Sequence, residues 1–107
     1  MEINQYHIIL VNLDNTIGIE ASKTGHCVVI SPDEMNKFLK TIIAAPLIPD
    51  SAGYPTRVKI KYNNKISRVV LDQLATIEKL RIIKELGELS GSEIKKIKAV
   101  LKETFVD

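Results

Sequence analysis

The chain has 107 residues, of which 45% are hydrophobic and 26% charged, a composition that is ordinary for a globular protein. This length predicts one domain, residues 1–107, and no apolar run approaches the ~20 residues of a membrane-spanning helix. The segment Met1 to Gln5 lacks the basic and then apolar pattern of a secretory signal, so we expect a cytoplasmic protein. The single cysteine, Cys27, excludes an internal disulfide, and its place between His26 and Val28 predicts a buried thiol rather than a nucleophile.

Charge is unevenly distributed along the chain. Residues 1–50 carry three lysines against six acidic residues, a net charge of −3, whereas residues 51–107 carry twelve basic against seven acidic residues, a net charge of +5. A basic face of this kind is used by proteins that bind the phosphates of nucleic acids. Four of the lysines, however, fall on one side of a predicted C-terminal helix, and composition alone favours a simple solvent-exposed face.

The first half of the chain predicts two strands and a short helix. Residues 6–13 form a β-branched apolar run typical of a buried strand, and residues 27–30 form a second one. Between them lies a polar stretch without apolar periodicity, and long loops in compact domains are often functional. Ser31 is predicted to cap a helix that has Pro32 in its first position and ends near Leu39.

The second half predicts further strands. Residues 41–45 have strand character, and Pro46 predicts an edge, a bulge or a strand end because proline cannot donate to a ladder. A turn or loop is expected at 49–53. Residues 56–62 alternate polar and apolar, and Asn63-Asn64 predicts a hairpin turn into a partner strand, residues 66–73. Residues 80–86 fit either a strand or a helical turn.

The C-terminal segment is predicted to be an amphipathic helix. Ser90 and Glu93 have the spacing of a capping box. Apolar residues recur at helical spacing on one face, and lysines occupy the other face: Ile94, Ile97, Val100, Leu101 and Phe105 against Lys95, Lys96, Lys98 and Lys102. The predicted fold class is therefore α+β, with a mostly antiparallel, barrel-like sheet, a short helix after the second strand and this terminal helix.

Three segments, in order and at matching spacing, resemble the MazF/PemK family of small bacterial toxins. They are residues 10–20 with the strand at 28–31, then Tyr54-Pro55-Thr56-Arg57-Val58, and then residues 70–77. The resemblance extends over nearly the whole chain and implies an SH3-like barrel that forms homodimers. It also implies metal-independent cleavage of single-stranded RNA without a cofactor, and neutralisation by an antitoxin whose disordered acidic tail lies across the dimer.

Two family positions that carry the chemistry are substituted in this sequence. The family's loop normally ends in an Arg-Pro pair before the second strand, where this chain has Gly25-His26. The family's third strand usually ends with a Thr or Ser whose hydroxyl reaches the scissile phosphate, where this chain has Ile48. Neither glycine nor isoleucine can transfer a proton or donate to a phosphate, so we expect cleavage of the family type to be close to absent.

Other side chains could replace the lost ones. His26, paired with His7 on the first strand, is one candidate acid–base set, because histidine titrates near neutrality. Strand alternation, however, points His26 away from the side of residue 25. Asp72 matches an acidic residue of the family and is a second candidate, although it also suits a turn. The residues predicted to contact RNA are Glu20, Lys23, Thr24, Arg57 and Gln73, and a solvated strand face explains Arg57 and Lys59 equally simply.

Three functions compete at this point. The chain is an endoribonuclease toxin with an altered site, or a catalytically degenerate homologue that keeps the dimer and binds antitoxin, or a gyrase-directed toxin like the CcdB relatives. The third fits least, since those relatives use an aromatic C-terminal end. This chain has no tryptophan and ends Thr104-Phe105-Val106-Asp107.

Overall fold

The computed structural model describes residues 2–13, 23–49 and 54–106. In this part of the chain, strands and helices follow in the order β1 His7–Asn12, β2 Thr24–Val29, α1 Asp33–Phe38, β3 Thr41–Pro49, β4 Arg57–Tyr62, β5 Lys65–Val70, β6 Ala75–Glu78, β7 Ile82–Glu88 and α2 Gly91–Phe105. Two short 3₁₀ turns, Leu71–Gln73 and Lys79–Arg81, precede β6 and β7. The segment 80–86 is thus the end of a 3₁₀ turn followed by a strand.

The strands form one antiparallel sheet in the order β4-β5-β3-β2-β1-β7, and β6 also pairs with β3. With its C-terminal helix, this is the predicted α+β class. The end strands β4 and β7 do not pair with each other in the described part of the chain, so the sheet is open there. Strand order places β2 and β3 side by side at the centre, where the candidate site lies.

Pro46 does not end its strand, although an end was one of the predicted outcomes. One side of β3 pairs with β2, whose Cys27 lies opposite Pro46. On the other side β3 pairs first with β6, as far as Ala44, and then with β5 from Leu47 onward. Pro46 lies in the gap between these two partners, where the sheet can accommodate a residue that lacks a donor.

Strand β2 begins at Thr24, three residues before the predicted start at Cys27. The polar residues Thr24 and Gly25 join it because they pair with Asn12 and Val11 of β1. Residues 14–22 of the predicted loop, including Glu20, and residues 50–53 of the second predicted loop lie outside the described residues.

The predicted capping role of Ser31 is wrong. Pro32 occupies the N-cap of α1, and the cap has no side-chain hydrogen bond. The Ser31 hydroxyl is instead buried, where it donates to Asn36 Oδ1 and accepts from the Ile43 backbone N–H at 3.0 Å. Ser31 therefore ties α1 to β3.

The hairpin of β4 and β5 agrees with its prediction. Asn63 and Asn64 have φ angles of 50° and 61°, the left-handed conformation that a two-residue hairpin turn requires and that asparagine tolerates. Strand β5 ends at Val70, earlier than the predicted residue 73, because Leu71–Gln73 form a 3₁₀ turn.

Buried side chains form two clusters, which strand alternation places on opposite faces of the sheet. The first cluster includes Ile8, Val28 and Val69, and α2 covers it through fully buried Ile97. The second includes Ile9, Val11 and Cys27. Helix α2 has the predicted capping box, but Phe105 is 57% exposed, so the apolar stripe does not pack along its whole length.

Candidate functional site

A cavity of about 450 Å³ opens where β1, β2, β3 and β6 meet. Gly25 and Ile48, the two positions that the resemblance predicts to be substituted, both line it. His26 pairs with Leu47 and Cys27 with Pro46, so the same register places residue 25 opposite residue 48. Residues opposite each other on paired strands share a face of the sheet. The fold therefore brings together two residues that are 23 positions apart in sequence.

The backbone at Gly25 faces the side chain of Leu13. A Cβ atom added to Gly25 would lie 2.9 Å from Leu13 Cδ1, closer than ordinary van der Waals contact. Leu13 is 54% exposed, and the close atom is the far end of its side chain. A larger residue at position 25 thus requires Leu13 to move, and Leu13 has solvent into which it can rotate.

The remaining wall of the cavity is largely apolar, with polar groups along one side. Apolar contributions come from Val11, Leu47 and Ile77, whereas Thr76, Glu78 and Arg81 supply a hydroxyl, a carboxylate and a guanidinium. Ala75 also lines the cavity. An apolar groove with a few convergent polar groups is a common form of ligand site.

His26 borders the same cavity, but its ring lies on the opposite face of the sheet from the Cβ position of residue 25, as strand alternation predicted. The His26 ring centroid is 5.8 Å from that of Tyr62, which packs against the first core cluster. The His26 side chain is exposed. Its position does not place an imidazole where the family's arginine would project.

The predicted pairing of His26 with His7 is wrong. Leu10 of β1 lies opposite His26, and His7, three residues before Leu10, faces the other side of the sheet. His7 Nδ1 lies 2.6 Å from Glu85 Oε1 of β7, and His7 Nε2 lies 3.5 Å from Glu88 Oε2. The carboxylates of β7 engage His7, and no pair of imidazoles faces the cavity.

Asp72 and Arg57 form a separate polar cluster. Asp72 Oδ1 accepts a hydrogen bond from the Thr56 hydroxyl at 2.8 Å and lies 3.5 Å from Arg57 Nε. The Thr56 hydrogen bond, supported by the Arg57 guanidinium, lowers the pKa of Asp72. Arg57 also lies over the Tyr54 ring, 4.8 Å from its centroid. Neither Asp72 nor Arg57 lines the 450 Å³ cavity, so the structure does not assemble Asp72 with Gly25 and Ile48.

The other predicted RNA contacts are dispersed. Lys23 and Thr24 are exposed and directly precede Gly25, and the Lys23 carbonyl accepts a hydrogen bond from Leu13 N–H at 3.0 Å. Gln73 is exposed in the 3₁₀ turn before β6, and Glu20 lies outside the described residues. Among the described residues, Lys23, Thr24 and Gln73 are not part of the cavity lining.

Three residues that line the cavity, Leu13, Glu78 and Arg81, were not predicted from the sequence. Leu13 carried a weak signal, an apolar residue at the end of a strand directly before a polar loop. Glu78 and Arg81 carried no signal in the sequence, since they reach the cavity only because β6 pairs with the first half of β3.

Neither described helix is long and apolar enough to cross a membrane.

The chain is similar in sequence to known toxins. A model of the PemK-like, MazF-like toxins of type II toxin–antitoxin systems matches residues 4–105. Endoribonuclease MazF of Staphylococcus saprophyticus is 31% identical over 96 residues, which cover 84% of this chain and 80% of that protein.

Solved structures of similar fold support this result. An endoribonuclease from a Mycobacterial species, in complex with its cognate antitoxin, superposes with a TM-score of 0.80 at 17% identity, over 97% of this chain and 95% of that one. MazF from Deinococcus radiodurans gives a TM-score of 0.76 at 21% identity, over 100% and 99% of the two chains. Sequence and fold agree: this chain belongs to the PemK-like, MazF-like toxin family of type II toxin–antitoxin systems.

Proposed function

We propose that this chain is the toxin component of a type II toxin–antitoxin pair, a cytoplasmic homodimer that takes single-stranded RNA into the 450 Å³ cavity and cleaves it very slowly. The observation that carries the proposal is the placement of Gly25 and Ile48. They lie on one face of adjacent strands, at the cavity, and neither side chain can donate or accept a proton. The fold and family support the substrate class, and these two residues support the slow rate.

The chemistry of the family explains why those positions matter. A ribose 2′-hydroxyl attacks the adjacent phosphorus as its O–H proton passes to a base, and the P–O bond to the 5′-oxygen breaks as that oxygen receives a proton. Proton transfer of this kind contributes roughly 10²–10⁴ in rate. One donor that stabilises the phosphorane charge contributes about 10²–10³. Loss of both reduces the rate by about 10⁴ or more, allowing for non-additivity.

The remaining polar groups of the site suit binding better than cleavage. Thr76 and Arg81 line the cavity, where hydroxyl and cationic groups can bind phosphate oxygens, and the exposed Lys23 and Thr24 directly precede Gly25 in the chain. Arg57 contacts Asp72 and Tyr54, and in this proposal its role is to stabilise the 3₁₀ turn Leu71–Gln73.

A second candidate function is a catalytically degenerate homologue that binds antitoxin and does not cleave RNA. The same two substitutions favour it. In this case the chain would act as a partner or decoy for an antitoxin. Its cavity would keep its shape but would lack the side chains needed for cleavage.

Cleavage of a long transcript, with mapping of the new ends, tests the proposal. The control is the same preparation with its cognate antitoxin, which the neighbouring reading frame is expected to encode. Slow, site-specific cuts that disappear on addition of antitoxin support the toxin. Tight antitoxin binding without any cuts supports the degenerate homologue. A preparation that neither cuts RNA nor binds the antitoxin contradicts both.

A further inference from the structure

A second groove, of about 220 Å³, adjoins the cavity where β2 begins and β3 ends. His26, Leu47 and Ile48 line both spaces, so the second groove borders the cavity along these residues. Beyond them, the second groove is lined by the end of the β4–β5 hairpin, with Tyr62, Asn63, Lys65 and Ser67. Its volume is below the roughly 300 Å³ at which pockets for drug-sized ligands begin, and a single flat ring would be a suitable occupant.

Two aromatic rings form a corner of this groove. The His26 and Tyr62 rings are tilted by 59° with their centroids 5.8 Å apart. Tyr62 is half-buried and packs against the first core cluster, which fixes its position, whereas His26 is exposed at the surface of β2. A fixed ring beside an accessible one can hold a flat, polarisable group on its face.

The polar lining of the second groove complements the aromatic corner. Lys65 supplies a positive charge, Asn63 and Ser67 supply an amide and a hydroxyl, and none of the described residues that line the groove is acidic. Aromatic faces with a neighbouring cation are the usual means of binding single-stranded nucleic acid. An acidic peptide would use the charge of Lys65 but would leave both rings without a role.

We propose that His26 and Tyr62 form a subsite for one nucleobase, in the groove that borders the cavity along His26, Leu47 and Ile48. This inference rests on the proposed function, because it assumes that single-stranded RNA enters the cavity. In this subsite His26 contributes its ring face to stacking, and it transfers no proton. Lys65 binds the phosphate that accompanies the base.

Matched substitutions separate ring stacking from other roles of the two residues. The probe is a fluorescein-labelled oligoadenosine of about 12 nucleotides, and its affinity is measured by fluorescence anisotropy. Stacking of one base corresponds to roughly a 5- to 150-fold change in affinity. We expect a loss in this range for His26→Ala and for Tyr62→Ala, and less than about threefold change for His26→Phe and Tyr62→Phe.

An abasic oligomer of the same length, which keeps its ribose and phosphate groups, isolates the contribution of the base. Its affinity is expected to be insensitive to His26→Ala, whereas Lys65→Ala weakens both oligomers alike. His26 is exposed, so its variants will fold, and thermal unfolding identifies any loss of stability caused by Tyr62→Ala.

Three results would overturn the inference. The first is unchanged oligoadenosine affinity in His26→Ala. The second is equal weakening by His26→Phe and His26→Ala, which would assign the role to the ring nitrogens. The third is an effect confined to binding of the acidic tail of the antitoxin. If the unsubstituted chain binds antitoxin but no RNA, the RNA substrate of the proposed function itself is wrong, and the subsite is excluded with it.

Discussion

Restoring the two family side chains, with Gly25→Arg and Ile48→Thr together, should recover RNA cleavage. The substitutions return a cation with transferable protons and a hydroxyl to one face of the cavity. From the contributions of proton transfer and charge stabilisation we expect a gain of about 10⁴-fold, equivalent to roughly 5.5 kcal/mol of activation free energy. Each single substitution should recover much less, because the two groups act in one transition state.

The structural cost of this double substitution is small. The new Cβ at position 25 meets Leu13 Cδ1 at 2.9 Å, and Leu13, at 54% exposure, can rotate away. An off-rotamer or shifted side chain costs on the order of 1 kcal/mol. Threonine at position 48 is smaller than isoleucine and enters a half-buried site at the cavity wall. The double variant should therefore lose little stability and remain folded, so that its gain in cleavage rate can be measured.

The assay is single-turnover cleavage of a long transcript, with the double variant Gly25→Met and Ile48→Val as the matched control. Methionine approximates the length of arginine without its charge, and valine has the shape of threonine without its hydroxyl. Cleavage by the first variant alone supports the reasoning. If both double variants fold, bind RNA and fail to cut, the assignment of positions 25 and 48 is refuted.

Three further predictions concern stability and reactivity. Ile97→Ala should lower the free energy of unfolding by about 2–5 kcal/mol, because Ile97 is fully buried. Lys98→Ala, on the exposed face of α2, should change it by about 0.5 kcal/mol or less. Urea titration measures both free energies. Burial acts to raise the pKa of Glu93, but hydrogen bonds from the Ser90 and Lys61 backbone N–H groups outweigh it and lower the pKa. The stability that Glu93 contributes is therefore present above its unfolded pKa of about 4.5 and is lost as the pH falls through the lower folded pKa. The difference in the free energy of unfolding between the unsubstituted chain and Glu93→Gln should therefore shrink between pH 7 and pH 3. Burial also raises the pKa of Cys27 to about 11, and iodoacetamide at pH 8 should label the folded chain about 100-fold more slowly than the chain in urea; equal rates would show that the thiol is accessible.

Local patterns in the sequence were sufficient to predict several elements. Alternation in β4 predicted its half-exposed face, since Val58 and Ile60 are buried and Lys59 and Lys61 exposed. The Asn63-Asn64 pair predicted the hairpin turn, and the capping-box spacing predicted the start of α2. In each case the deciding interactions lie within a few residues along the chain.

Several differences between the predictions and the structure depend on contacts between distant segments. Pro46 is tolerated inside β3 because the partner strand changes there, and the sequence near Pro46 does not contain that information. Ser31 has the sequence of a helix cap, but Asn36 and the Ile43 backbone bind its hydroxyl. Phe105 continues the apolar stripe of α2 beyond the part of the helix that packs on the sheet.

In the candidate site, too, the residues could be identified from the sequence but their spatial arrangement could not. Resemblance to the family identified Gly25 and Ile48, and only the register of β2 against β3 shows that they share a face at one cavity. The proposed pair of histidines required β1 to present His7 on the side of His26. Strand alternation forbids this, and Glu85 of β7, distant in sequence, engages His7 instead.

The most direct test of the account compares cleavage by this chain with cleavage by the MazF endoribonuclease of Staphylococcus saprophyticus, its 31% identical relative, on the same transcript. The resemblance assigns an acid–base group and a donor to the positions of Gly25 and Ile48, and on that assignment we expect a single-turnover rate lower by about 10⁴-fold or more. A comparable rate that cognate antitoxin abolishes would contradict the claim that these two positions determine the activity of this chain.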